Sequence, residues 1–257
     1  MGLEDFSMSD FDRGLTRQGP FATADMAVDV GLRGFMLGVY NKVALGLVLS
    51  AALAYVTGNV PAVQQLLWRT NEFGQRGLTL LGMVITFAPL PILLFQGFMR
   101  NQSPRSAGIT YWVIVSLIGA SLGSVFMFYQ SVAVFQTFLV TAAAFGALSL
   151  VGYATKRDLT AMGSFLIMGL VGLILAMLVS LFFHSPALMF AINAIGVLIF
   201  AGLIAYDTQR LKMTYYQLGG DQAAMSVVTS YGALSLYLDF INLFRFLLYF
   251  MGGSSRR

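Results

Sequence analysis

Four long stretches of this chain carry no charge at all. There are 26 residues between Lys42 and Arg69, 23 between Arg76 and Arg100, 50 between Arg105 and Lys156, and 48 between Asp158 and Asp207. A helix crosses the hydrocarbon of a bilayer with about 20 mostly apolar residues. The two shorter runs therefore hold one span each. The two longer runs hold two each, broken at Tyr129-Gln130-Ser131 and at His184-Ser185-Pro186. A seventh segment, from about Val227 to Met251, is apolar but contains Asp239 and Arg245. Spans are expected at about 35–57, 77–99, 107–128, 132–154, 160–183, 187–206 and 227–251. Inside hydrocarbon every backbone polar group needs an internal partner, so these runs read as helices. The alternating segments of about ten residues that build a barrel are absent. The expected fold is an all-α integral membrane protein with seven transmembrane helices.

Composition closes off the alternatives. Only 10% of the 257 residues are charged and 58% are hydrophobic, against about 25% charged in a soluble domain. So few charges cannot cover a water-soluble globule, and disorder needs the opposite balance. The net charge is +4, but the 15 Lys and Arg are scattered between apolar runs. They read as topology signals, and no nucleic-acid surface is expected. Without cysteine, disulfides, thiol catalysis and cysteine metal sites are excluded. His184, the only histidine, lies in a short loop and is not read as a metal ligand.

Residues 1–30 hold six acids with Arg13 and Arg17. They read as a flexible acidic tail before a seven-helix domain over 31–257. An acidic stretch followed by a long apolar run lacks the form of a signal peptide, so the first helix is expected to stay as its own anchor. With seven spans, ten basic residues fall on the N-terminal side and four on the other. That bias places the N-terminus in the cytoplasm. Pro89 and Pro91 should kink the second span. Gly119 and Gly123 have the spacing of a close-packing helix face.

Ionisable groups within membrane helices are costly and mark pathways, pairs or wet cavities. Asp207 stands at the end of the sixth span and Asp239 halfway along the seventh. Gly232, Ser235, Asp239 and Asn242 recur at helical spacing, which makes one narrow polar stripe. Two bland readings stand beside this. Asp207 could be a solvated helix-end carboxylate paired with Arg210, and Asp239 could bond a serine or a carbonyl of a neighbouring helix. The sixth and seventh spans, joined by about 20 residues, should be antiparallel neighbours and could bring the carboxylates together. Such a pair shares a proton. Protonated, it ties two helices; deprotonated, it repels itself and attracts a cation. This is a latch on a cation path.

Three segments carry a family resemblance. They are Ala205-Tyr206-Asp207-Thr208-Gln209-Arg210-Leu211-Lys212, the stretch from Leu236 to Phe244, and Tyr153-Ala154-Thr155-Lys156-Arg157-Asp158-Leu159. In order and spacing they resemble the bacterial members of the Bax inhibitor-1 (transmembrane Bax inhibitor motif) family over about residues 31–252. The resemblance implies six helices around a central C-terminal seventh. It implies a pH-dependent calcium leak in the bacterial inner membrane, with a di-aspartyl latch on Asp207 and Asp239. Calcium would bind there only transiently, as the permeant ion, with no cofactor and no catalytic residue. An arginine just after the second span binds the latch in a bacterial relative, and Arg100 matches it best. An acid within that relative's second span has no counterpart between Arg76 and Arg100.

Two other functions compete. A Tyr-Asp in one span and an Asp in the next resembles an intramembrane aspartyl protease, whose dyad would also share a proton. That family has Gly-x-Gly-Asp where this chain has Leu236-Tyr237-Leu238-Asp239, and its Pro-Ala-Leu follows both aspartates, whereas Pro186-Ala187-Leu188 precedes both. The alternative carried further is a regulatory membrane protein that modulates a membrane protease or a stress or cell-death response by direct contact, with the acidic tail as a docking segment.

Overall fold

The computed structural model describes residues 30–70, 76–96, 103–183 and 185–252. The first element, α1 (Val30–Asn59), is followed by a short α2 (Pro61–Leu67). A small antiparallel ribbon comes next, β1 (Trp68–Thr70) with β2 (Arg76–Leu78), with Trp68 opposite Leu78. Then come α3 (Leu80–Phe87), α4 (Pro89–Gln96), α5 (Pro104–Ser121), α6 (Gly123–Phe128), α7 (Ser131–Ala154), α8 (Thr160–Ser180), α9 (Pro186–Gln217) and α10 (Gln222–Gly252). Six helices are long and apolar enough to cross a membrane, with α5 and α6 together forming one. The stretch from Leu80 to Phe95 is apolar but shorter.

Local chemistry sets the ends. Ser103 opens α5 with a capping box to Ser106 and Pro104 behind it. Ser185 accepts from the Leu188 N–H at the start of α9, with Pro186 in its first turn. Asp158 accepts from the Thr160 backbone N–H and hydroxyl just before α8, at 2.8 and 2.6 Å. These bonds hold its carboxyl below the usual aspartate range. Pro89 and Pro91 have no N–H to give the preceding turn, and the expected kink is a full break between α3 and α4. The second span, expected as one helix from residue 77, instead begins after β2.

The largest departure from expectation lies at α9. The sixth span was expected to stop at residue 206, but nothing there breaks a helix, and α9 runs on to Gln217. The connection to α10 is then only residues 218–221. Gly219 and Gly220 make it possible, with φ of +56° and +92°, a region that residues with a Cβ avoid.

α10 lies at the centre. It packs on α9, α1, α7 and α5, and α8 packs chiefly on α9 at the outside. Of the spanning helices it is the most buried. Phe240 fits between Phe138 and Phe145, with ring centroids 5.5 and 5.6 Å away, and Phe246 stacks on Phe200 at 5.7 Å. Phe240 and Phe246, off the polar stripe of α10, are thus part of the core. α1 and α5 run parallel in close contact. A Cβ on Gly119 would lie 2.6 Å from Ser50 Cα, and one on Gly123 would lie 2.8 Å from the Gly58 nitrogen. The small-residue spacing read from the sequence is this contact.

Candidate functional site at the interface of α9 and α10

α9 and α10 meet in an antiparallel register. Leu211 packs on Gly232, Asp207 meets Ser235, and Phe200 stacks on Phe246. Glycine at 232 leaves room for the Leu211 side chain, and this seats the next turn, where the Ser235 hydroxyl donates to Asp207 Oδ2. Four residues further along α10 stands Asp239. A rise of 1.5 Å per residue puts it about 6 Å deeper along the helix axis.

Both aspartates are buried. Asp207 is 7% exposed and Asp239 is 6% exposed. Asp207 is well supplied: besides Ser235, Arg210 Nη1 lies 3.6 Å from its Oδ1. That is the only ion pair among the described residues, and the arginine side chain reaches outward, 57% exposed. The bland reading of Asp207 was therefore right about its partner but wrong about its exposure. Asp239 lies within electrostatic reach of both Asp207 and Arg210. Its Oδ2 has no hydrogen-bond partner among the described residues. The inter-helix tie in this conformation is thus Asp207 with Ser235, and Asp239 faces that tie from one turn away. A buried carboxyl oxygen without a donor is costly unless it meets water or a cation.

The other expected residues fall as follows. Asn242, at the foot of the stripe, is half-buried and donates to Leu238 O at 2.9 Å within its own helix. It adds no inter-helix contact there. Arg100, His184 and the acidic tail up to residue 29 lie outside the described residues.

Several polar side chains counted in the sequence only as topology signals, or not at all, also turn inward. Lys42 Nζ donates to Ser230 at 2.7 Å, and Tyr111 donates to Lys42 O at 2.6 Å. Lys212, only 5% exposed, donates to Tyr153 O at 2.6 Å. Gln209 takes the Leu159 N–H and gives to Arg157 O, at 2.8 and 2.7 Å, and so clamps the turn between α7 and α8 onto α9. The Ser50 and Tyr237 hydroxyls share a 2.7 Å hydrogen bond, which joins α1 to α10. The absence of Gly or Pro between Gly202 and Gly219 was the available signal that α9 continues and carries Gln209 and Lys212 into the bundle.

A cavity of about 390 Å³ lies on the other side of α10, beside Ser50, Ala54, Phe138 and Phe240. Its walls are almost wholly apolar, so it offers an ion nothing. Among the described residues no three His, Cys, Asp or Glu gather to hold a metal. The polar features that suit a cation are those around Asp207 and Asp239.

Comparison with known proteins places this geometry in context. The sequence profile described as "Inhibitor of apoptosis-promoting Bax1" matches residues 32–256. An uncharacterized protein of Caulobacter vibrioides is 64% identical over 248 residues, covering 96% of this chain and 99% of that protein. An uncharacterized protein of Rickettsia prowazekii is 42% identical over 248 residues, with the same coverage of 96% and 99%. The inner membrane protein YbhL of Escherichia coli is 41% identical over 227 residues, covering 87% of this chain and 93% of that one.

Proposed function

The chain belongs to the Bax inhibitor-1 family, and from that membership and its paired buried aspartates we propose that it is a pH-sensitive, calcium-permeable leak of the inner membrane. The inner-membrane location is supported by the apolar helices and by the printed name of the Escherichia coli relative. The N-terminus is assigned to the cytoplasm on the basic-residue bias.

Seven crossings are part of the proposal. α1 and α5 run parallel, so the chain between them must return to the side where α1 began. The described helices able to make that return are α3 and α4. Together they span 17 residues from Leu80 to Gln96, at the lower limit of what crosses hydrocarbon.

One observation carries the functional reading: Asp239 is buried with an unpartnered oxygen, one turn from Asp207, across the interface of the central helix. Two ionised carboxylates this close repel each other, whereas a proton on one lets the pair hold together. Proton occupancy therefore biases the packing of α9 on α10. The deprotonated pair loosens that packing and attracts a cation. Calcium prefers six to eight oxygen ligands, so two carboxylates make a passing site, not a store. In this reading the aspartates are an ion path and sensor, and no bond of a substrate is broken.

The test is calcium flux into liposomes containing the full chain, measured across pH. Asp239→Asn keeps the shape of the side chain but cannot ionise. Flux in this variant should be low and nearly flat with pH. Unchanged flux with unchanged pH dependence would sink the latch.

A further inference from the structure

A second cavity, of about 560 Å³, lies between α1 and α7, apart from the aspartates. It runs from Arg33 and Tyr153, near the ends of the two helices, down to Tyr40 and Phe145. Arg33 to Tyr40 is two helical turns, about 10 Å, so the cavity occupies the outer part of the membrane on the side where α1 begins. Leu37 and Leu150 on its walls are 50% and 68% exposed. In a spanning bundle such positions meet lipid tails, so the mouth opens sideways into the bilayer. Gly146 leaves that mouth clear, since a Cβ there would touch nothing within 4 Å.

The end nearest the membrane surface has a different chemistry. Arg33 is exposed in the first turn of α1 and has no ion pair among the described residues. Ser149, on the wall, is 4% exposed. The buried Thr208 hydroxyl of α9 lies on the far side, and both hydroxyls turn to that of Tyr40 at the deep end of the cavity. Behind the wall, Lys212 Nζ sits 5.7 Å over the Tyr153 ring. Among the described residues no acid lines the cavity, and the exposed Lys156 and Arg157 follow α7 on the same side. Positive charge at the headgroup level, with an apolar slot beneath it, matches a molecule that carries a phosphate and an acyl chain. Basic pockets between membrane helices hold anionic lipid headgroups in this manner.

We propose that the crevice between α1 and α7 is a binding site for one anionic phospholipid, its phosphate toward Arg33 and one chain along Leu37 and Leu150. This assignment is independent of the calcium reading, and its assay reads lipid, not flux. The full chain is purified in detergent, given phosphatidylglycerol or phosphatidylethanolamine of matched chains, and weighed by native mass spectrometry. The wild type should retain phosphatidylglycerol in preference. Arg33→Ala should lower that retention about fivefold, the worth of one basic contact near a membrane surface. Gly146→Phe should block the slot and abolish the preference, while Arg105→Ala, exposed at the start of α5, should leave it intact. A thermal melt of each variant reports folding, and should Gly146→Phe not fold, Arg33→Ala decides alone. Equal retention of the two lipids, or full retention in Arg33→Ala, overturns the proposal. So does stabilisation by inorganic phosphate equal to that by phosphatidylglycerol, which would mark a free-anion site.

Discussion

Ser235 shows how one hydroxyl can decide which of two neighbouring carboxylates is satisfied. It donates to Asp207 across the helix interface, while Asp239, on its own helix, goes without a partner at Oδ2. Asp207 has a second partner in Arg210, but that contact lies within α9 and joins no helices. Removing the hydroxyl should therefore loosen α9 from α10 without unfolding either helix. Ser235→Ala is expected to cost about 1–2 kcal/mol, between the modest value of a polar contact in a membrane bundle and the larger one for a charged acceptor. Ser235→Thr, which keeps the donor, should cost less. A double-mutant cycle with Asp207→Asn, read by denaturation in detergent, isolates the pair. Additive losses would show that the hydroxyl and the carboxylate do not act together.

At the scale of elements, glycine sets how close helices come. Gly119 and Gly123 press against the Ser50 and Gly58 backbones, and the contact holds α1 parallel to α5. Gly123→Leu would drive a side chain into backbone that cannot move aside. A loss of about 1–3 kcal/mol is expected from overpacking, seen as a lower melting temperature in detergent. Gly108→Leu, where a Cβ would meet nothing within 4 Å, is the matched control and should melt near the wild type. This contact was legible in the sequence, as were six of the expected spans and the disturbance at the prolines, because each rests on local spacing. The extension of α9 was not, because a change from apolar to polar residues ends the apolar run without ending the helix. Asp207 consequently read as a helix-end residue, whereas it lies well inside one. The inward turn of Lys42 and Lys212 also escaped, since a lysine near the end of a span normally reaches out to water. Only the packing of Ser230 and Tyr153 shows that these two do not. The ribbon of β1 and β2 left no pattern, for three residues are too few to show alternation.

For the whole molecule, the parity of crossings decides on which side each site lies. In the proposed topology α3 and α4, although together short and broken, carry the chain back between the parallel α1 and α5. Val60 follows α1 and Gln130 precedes α7, both exposed. The contact of Gly58 with Gly123 puts these two positions at one end of the bundle, so in the seven-crossing arrangement they share one face of the membrane. Asp158 and Asp221, exposed in the turns before α8 and α10, should both lie on the other face. The chain has no cysteine, so a single cysteine at each position labels without background. With a membrane-impermeant maleimide on intact spheroplasts, Val60→Cys and Gln130→Cys should react. Asp158→Cys and Asp221→Cys should react only after the membrane is opened. Val60 and Gln130 reacting from different sides would overturn both the seventh crossing and the parallel packing of α1 on α5. The same pair reacting only after opening would keep seven crossings and reverse the orientation. The lipid crevice and Arg210 would then both face outward, because they share the side on which α1 begins.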